Sequence, residues 1–111
     1  MKNILKERME AGVRPIGTFL QLGSESVVEA LGRTGLDFLI VDNEHGPFEA
    51  ERTADFIRAA ELVGIALLAR VREISRPAVL KLLDVGAQGV IVPDVQTVDQ
   101  VRALVRIRAN V

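Results

Sequence analysis

Four short apolar runs, each followed by a stretch of amphipathic helical spacing, predict an α/β fold with parallel strands. The runs begin near residues 16, 36, 65 and 89. A strand–helix unit repeated at such intervals implies parallel neighbours joined by right-handed crossovers. The run LDFLIV is almost uninterrupted by polar residues, as expected of strands covered on both faces. No linker or low-complexity segment divides the 111 residues, so residues 1–111 are read as one domain.

Each element has its own signal. MKNILKERMEAG at the N-terminus is an amphipathic helical pattern, too charged for the core of a signal peptide. IGTFLQ (16–21) is the first strand. In the helix SESVVEALGRTG (24–35), Ser24 can cap the start and Gly35 can end it. LDFLIV (36–41) is the second strand, and FEAERTADFIRAAELV (48–63) the next helix. IALLARV (65–71), SRPAVLKLLDVG (75–86) and GVIVPDV (89–95) follow as strand, helix and strand. A last helix runs from Val98 to about Arg108, with apolar Val98, Val101, Leu104 and Val105.

Pattern alone leaves two architectures open. A flavodoxin-like sheet needs about five strands in doubly wound order. A (β/α)8 barrel takes roughly 250 residues, of which this chain would supply about half. Both bind ligands at the carboxyl ends of their strands.

Composition narrows the function classes. Fourteen basic residues against fifteen acidic ones give a formal charge of -1 and no electrostatic reason to bind nucleic acid or an anionic membrane. Arg102 and Arg106 fall on one helix face, read as solvated. The absence of cysteine excludes disulfides, a zinc–thiolate site and a cysteine nucleophile. No apolar run approaches the roughly 18–20 residues of a membrane-spanning helix. A soluble, cytoplasmic protein is expected.

Chemistry-bearing residues gather where the strands end. The first strand finishes at Gln21, the second at Asp42-Asn43-Glu44-His45, the third at Arg70 and the fourth at Pro93-Asp94. Parallel neighbours lie about 4.8 Å apart, so these ends share one small surface. Arg70 follows IALLA, so its stem is buried and its charge needs an anion. That anion is either an internal carboxylate (Asp42, Glu44 or Asp94) or a carboxylate or phosphate ligand suited to the guanidinium fork.

His45, the only histidine, precedes a Gly46-Pro47 break. It is either a loop histidine bonded to a neighbouring carboxylate or a general base, the role imidazole suits best near neutral pH. Asp42, Glu44 and His45 stand two and three residues apart on an extended turn, which disfavours convergence on one metal ion. Asp84 meets the negative end of its helix dipole at a cost of about 0.3–1 kcal/mol, which Lys81 can offset. Gly86 and Gly89 serve as helix cap and strand entry; GAQG is not a phosphate loop. Thr18 and Ser24 have no histidine within predictable reach, so a serine hydrolase has no support.

The segment VDNEHGPF (41–48) resembles the (V/I)D-x-EHGP segment of the HpcH/HpaI-type class II pyruvate aldolases. The similarity extends to IGTFLQLGS and SVVEALGRTGLDF before it, and to LLARV and KLLDVGAQGVIVPDVQT after it, covering roughly residues 10–106. Asn43 stands where the family usually has a hydrophobic residue or glycine. The resemblance implies a partial (β/α)8 TIM barrel of about four βα units, the N-terminal half of an aldolase/citrate lyase-like domain. It implies a carbon–carbon lyase that cleaves 4-hydroxy-2-oxo or 2-keto-3-deoxy acids to pyruvate and an aldehyde, with a divalent metal (Mg2+, Mn2+ or Co2+).

By the same resemblance His45 is the base for the aldol hydroxyl, Arg70 binds the keto acid and stabilises enolate charge, and Asp84 raises the basicity of His45. A helix leaving strand three runs back along the barrel, which sets Asp84 about 15 Å from its own His45. The dyad then requires a neighbouring subunit, so a homo-oligomer is expected. The family's metal-binding carboxylates belong to the second half of the barrel, and here the sequence turns into RIRANV, so the metal ligands are expected outside this chain. The alternative expectation is a non-catalytic half-barrel that oligomerises or binds small carboxylic acids. A flavodoxin-like binding domain would lack its phosphate loop.

Overall fold

The computed structural model describes residues 3–21, 23–42, 50–71, 73 and 75–109. In chain order these are α1 (Ile4–Glu10), β1 (Gly17–Leu20), α2 (Glu25–Gly32), β2 (Phe38–Asp42), α3 (Ala50–Val63), β3 (Ala66–Arg70), α4 (Arg76–Asp84), β4 (Gly89–Ile91) and α5 (Val98–Ala109). The strands form one parallel sheet in the order β1-β2-β3-β4.

That order decides between the two architectures. A doubly wound sheet reverses direction at a switch point and places helices on both faces. Here every crossover steps to the next strand in the same direction. With right-handed crossovers, the connecting helices α2, α3 and α4 then fall on one face. Contacts between successive helices, α2 with α3, α3 with α4 and α4 with α5, agree with that single layer. The arrangement is four consecutive units of a (β/α)8 barrel, and the flavodoxin-like alternative is excluded.

Local chemistry sets the element ends. The Ser24 hydroxyl accepts the Val27 amide and the Ser75 hydroxyl the Ala78 amide, each filling an orphan donor in the first helical turn. Pro77 lies in the first turn of α4, where a missing N–H costs nothing. β4 is shorter than the sequence pattern predicts, three residues rather than seven. Its pairing covers only Leu68–Arg70, Pro93 has no amide to donate, and Asp94 adopts a left-handed φ of 55°.

Side chains alternate between two faces of the sheet. Leu20, Leu39, Val41, Leu67, Ala69 and Val71 point to the helices and pack with Val28, Phe56, Ile57, Val79 and Leu82. Burying each large apolar side chain there contributes about 1.5–3 kcal/mol, so this layer carries the fold. The opposite, inner face carries Phe19, Phe38, Ile40, Leu68 and Ile91, with Asp42 and Arg70 at its carboxyl end. Two glycines make that face packable: a Cβ on Gly17 would overlap the Phe38 ring, and one on Gly89 would come within 2.7 Å of Leu68.

Helix α1 lies at the amino ends of the strands. Asn3 donates to the Gln88 carbonyl at 3.0 Å, just before β4, and Arg8 pairs with Asp37, just before β2. On α5, only Leu104 of the four apolar positions noted in the sequence packs against the core, joined by Ile107. Val98, Val101 and Val105 are exposed.

Candidate active site

The carboxyl ends of β2 and β3 bring Asp42 and Arg70 together. They are register partners on adjacent strands, and both project from the inner face. The pair is bidentate: Nε of Arg70 donates to Oδ1 of Asp42 at 3.2 Å, and Nη2 donates to Oδ2. The Asp42 side chain is fully buried, whereas that of Arg70 keeps 24% of its surface accessible. Phe19, two strands away on the same face, places its ring 5.3 Å from the guanidinium carbon. A cation over an aromatic face adds attraction and also fixes the plane of the fork.

This ion pair differs in kind from the others. Arg58–Asp55 and Arg102–Asp99 join exposed side chains one helical turn apart, where such pairs contribute about 0–1 kcal/mol. Arg52 links Glu25 on α2 to its own helix and stacks 4.9 Å from Phe56, a brace between α2 and α3. The Glu25 carboxyl is held below its ordinary range by backbone hydrogen bonding at the helix start, with Arg52 adding to the effect. Asp42, by contrast, is sealed among strands, where an uncompensated carboxylate would cost several kcal/mol. Of the carboxylates the sequence offers to Arg70, Asp42 is the one that pairs with it among the described residues. Asp94, another candidate, is exposed in the loop after β4, and Glu44 lies outside the described residues.

The other expected site residues fare differently. His45 lies outside the described residues; it follows Asp42 by three positions. Asp84 ends α4 and is exposed. It stands at the helix end that leads into β4, opposite the strand ends where Asp42 and Arg70 meet. Within one chain Asp84 and Arg70 thus stand at opposite ends of the sheet, while the expected separation of Asp84 from His45 involves a residue outside the described ones. Phe19 was read only as part of an apolar strand. Its parity with residues 40 and 42 across a parallel register was the available signal that it shares Arg70's face.

The metal implied by the resemblance finds no donor set among the described residues. No three His, Asp or Glu side chains there come close enough to hold an ion. Asp42, the buried carboxylate at the strand ends, is engaged by Arg70. No helix among the described residues is long and apolar enough to cross a membrane.

Sequence and structure comparisons agree with this architecture. The chain is 35% identical over 104 residues to the hydroxypyruvate/pyruvate aldolase of Sagittula stellata, covering 94% of the chain and 41% of that protein. It is 40% identical over 92 residues to the 2-dehydro-3,6-dideoxy-6-sulfogluconate aldolase of Pseudomonas putida, covering 82% of the chain and 36% of that protein. The crystal structure of an HpcH/HpaI aldolase from Desulfitobacterium hafniense DCB-2 superimposes with a TM-score of 0.89 at 33% identity, over 94% of the chain and 40% of that structure. The chain therefore spans about two-fifths of the length of the curated relatives it matches. The sequence pattern of HpcH/HpaI aldolase/citrate lyase matches residues 15–111, and with four successive barrel units beneath it, this chain belongs to that family.

Proposed function

We propose that the chain supplies the base-and-arginine portion of a carbon–carbon lyase site that releases pyruvate and an aldehyde from a 4-hydroxy-2-oxo or 2-keto-3-deoxy acid. The observation that carries this reading is the guanidinium of Arg70, held by a buried carboxylate and an aromatic ring at the ligand-binding end of a barrel sheet. The family supports the reaction class, and the relatives named as aldolases support the oxo-acid substrate.

In this reading Arg70 donates to the 2-oxo oxygen and holds the charge that develops there. His45 accepts the proton of the 4-hydroxyl group. The C3–C4 bond breaks, its electron pair forms the enolate of pyruvate, and the aldehyde departs. Protonation of the enolate at C3 completes the release. Each role suits its group: the base titrates near neutral pH, and fixed positive charge meets the developing anion. Asp84, remote from Arg70 within the chain, acts on the imidazole of a neighbouring copy. No step is assigned to a metal, because the described residues do not form a site for one.

The test is release of pyruvate from a 2-keto-3-deoxy acid, followed with Mg2+ or Mn2+ present, by this chain extended through four further βα units. His45→Ala is expected to lower turnover about 100-fold, the lower range for loss of a general base. Undiminished turnover in His45→Ala would overturn the assignment.

A further inference from the structure

We infer that Asp42 is a positioning residue, which with Phe19 sets the plane in which the Arg70 guanidinium meets a small oxo acid. The inference rests on the oxo-acid reading of Arg70.

An arginine side chain ends in a planar fork with five donors, on a stem with several rotatable bonds. Its value in binding a flat carboxylate or enolate depends on orientation, not charge alone, since a misaligned fork loses one of two parallel hydrogen bonds. Here three strands fix that orientation. β3 places Arg70 at its last position. β2 places Asp42 directly opposite in register, engaging Nε and Nη2 along one edge of the fork. β1 places Phe19 against the flat face, 5.3 Å from the guanidinium carbon. The edge and the face are thus both constrained by protein.

The exposures point the same way. Asp42 is fully buried and cannot itself meet solvent-borne substrate, whereas Arg70 stays partly accessible. A purely structural ion pair gains nothing from leaving one partner open to solvent. A relay in which the inner residue aligns the outer one requires that asymmetry. Because strand register sets the pairing, the alignment exists before any ligand arrives, which lowers the ordering cost of binding.

The test compares the wild-type chain with Asp42→Asn, Phe19→Leu and Arg70→Ala by titration with millimolar pyruvate. The Arg70 Nε–H resonance in 15N–1H spectra reports alignment, and circular dichroism reports folding. Asp42→Asn keeps the shape and one acceptor but removes the charge. It is expected to weaken pyruvate binding roughly tenfold, the loss of about one charge-assisted hydrogen bond, with faster solvent exchange at Nε–H and unchanged helicity. Phe19→Leu is expected to weaken binding by a smaller factor while leaving Nε–H protected. If Arg70→Ala abolishes pyruvate binding but Asp42→Asn binds like wild type, the positioning role is wrong and the oxo-acid reading stands. If the wild-type chain and Arg70→Ala bind pyruvate equally, the oxo-acid reading fails and the positioning role fails with it. If Asp42→Asn loses helicity, binding is read from Phe19→Leu, where unchanged affinity overturns the proposal.

Discussion

At the residue scale, two carboxylates in similar company do different work. Asp37 sits before β2, where its Oδ2 accepts the Ile16 amide at 2.8 Å and its Oδ1 pairs with Arg8 on α1. The Ile16 hydrogen bond first, and Arg8 second, hold the Asp37 carboxyl below its ordinary value of 3.8. A depressed value means the folded state binds the proton less tightly than the unfolded chain does. The stabilisation is therefore complete above the ordinary value and disappears as pH falls through the folded one. Urea midpoints of the wild type and Asp37→Asn should differ by a constant amount above about pH 5, and the gap should close as pH drops below about 4. A gap that widens in acid would contradict the sign. Asp42 shows the other use of a carboxylate, buried and paired with a guanidinium. Asp42 is one of three candidate partners for Arg70 visible in the sequence, because residue spacing reveals which side chains reach a strand end but not which of them meet.

At the element scale, caps and breakers were the most legible features. Ser24 was identified as a helix start from sequence, and its hydroxyl does accept the Val27 amide. Ser75 repeats the device at α4, its Oγ accepting the Ala78 amide at 3.3 Å. Ser75→Ala should cost about 1 kcal/mol in a chemical-denaturation midpoint, and Ser75→Asp should restore most of it. Strand lengths were less legible. The run 89–95 reads as a full strand, yet only Gly89–Ile91 pair, because a strand lasts as long as its neighbour's ladder and not as long as its own apolar run. The same applies to α5, where Val98, Val101 and Val105 share a face by spacing but remain exposed. Apolar spacing marks a face meant for burial without naming what buries it.

At the scale of the whole molecule, β1 and β4 each pair with one neighbour, so the sheet has two edges that a closed barrel would join. Phe19 and Ile16 on one side, and the α5 valines on the other, add exposed apolar surface. The chain is accordingly expected to self-associate. Sedimentation velocity should show species larger than one chain, and Val101→Glu with Val105→Glu should shift the distribution toward monomer while helicity is retained. A wild-type chain that sediments as a monomer at micromolar concentration would refute this. The proposed action of Asp84 on a second copy's imidazole would need such self-association.

The sequence by itself determined the repeating strand–helix order, the helix starts and the gathering of Arg70 and its candidate partners at the strand ends. These follow from local periodicity, capping chemistry and chain direction, each of which acts over a few residues. Tertiary structure alone decided that the sheet is singly wound, that Asp42 pairs with Arg70, and that Phe19 lies against the guanidinium. Strand order and register are long-range properties, set by how whole elements pack, and no window of neighbouring residues contains them.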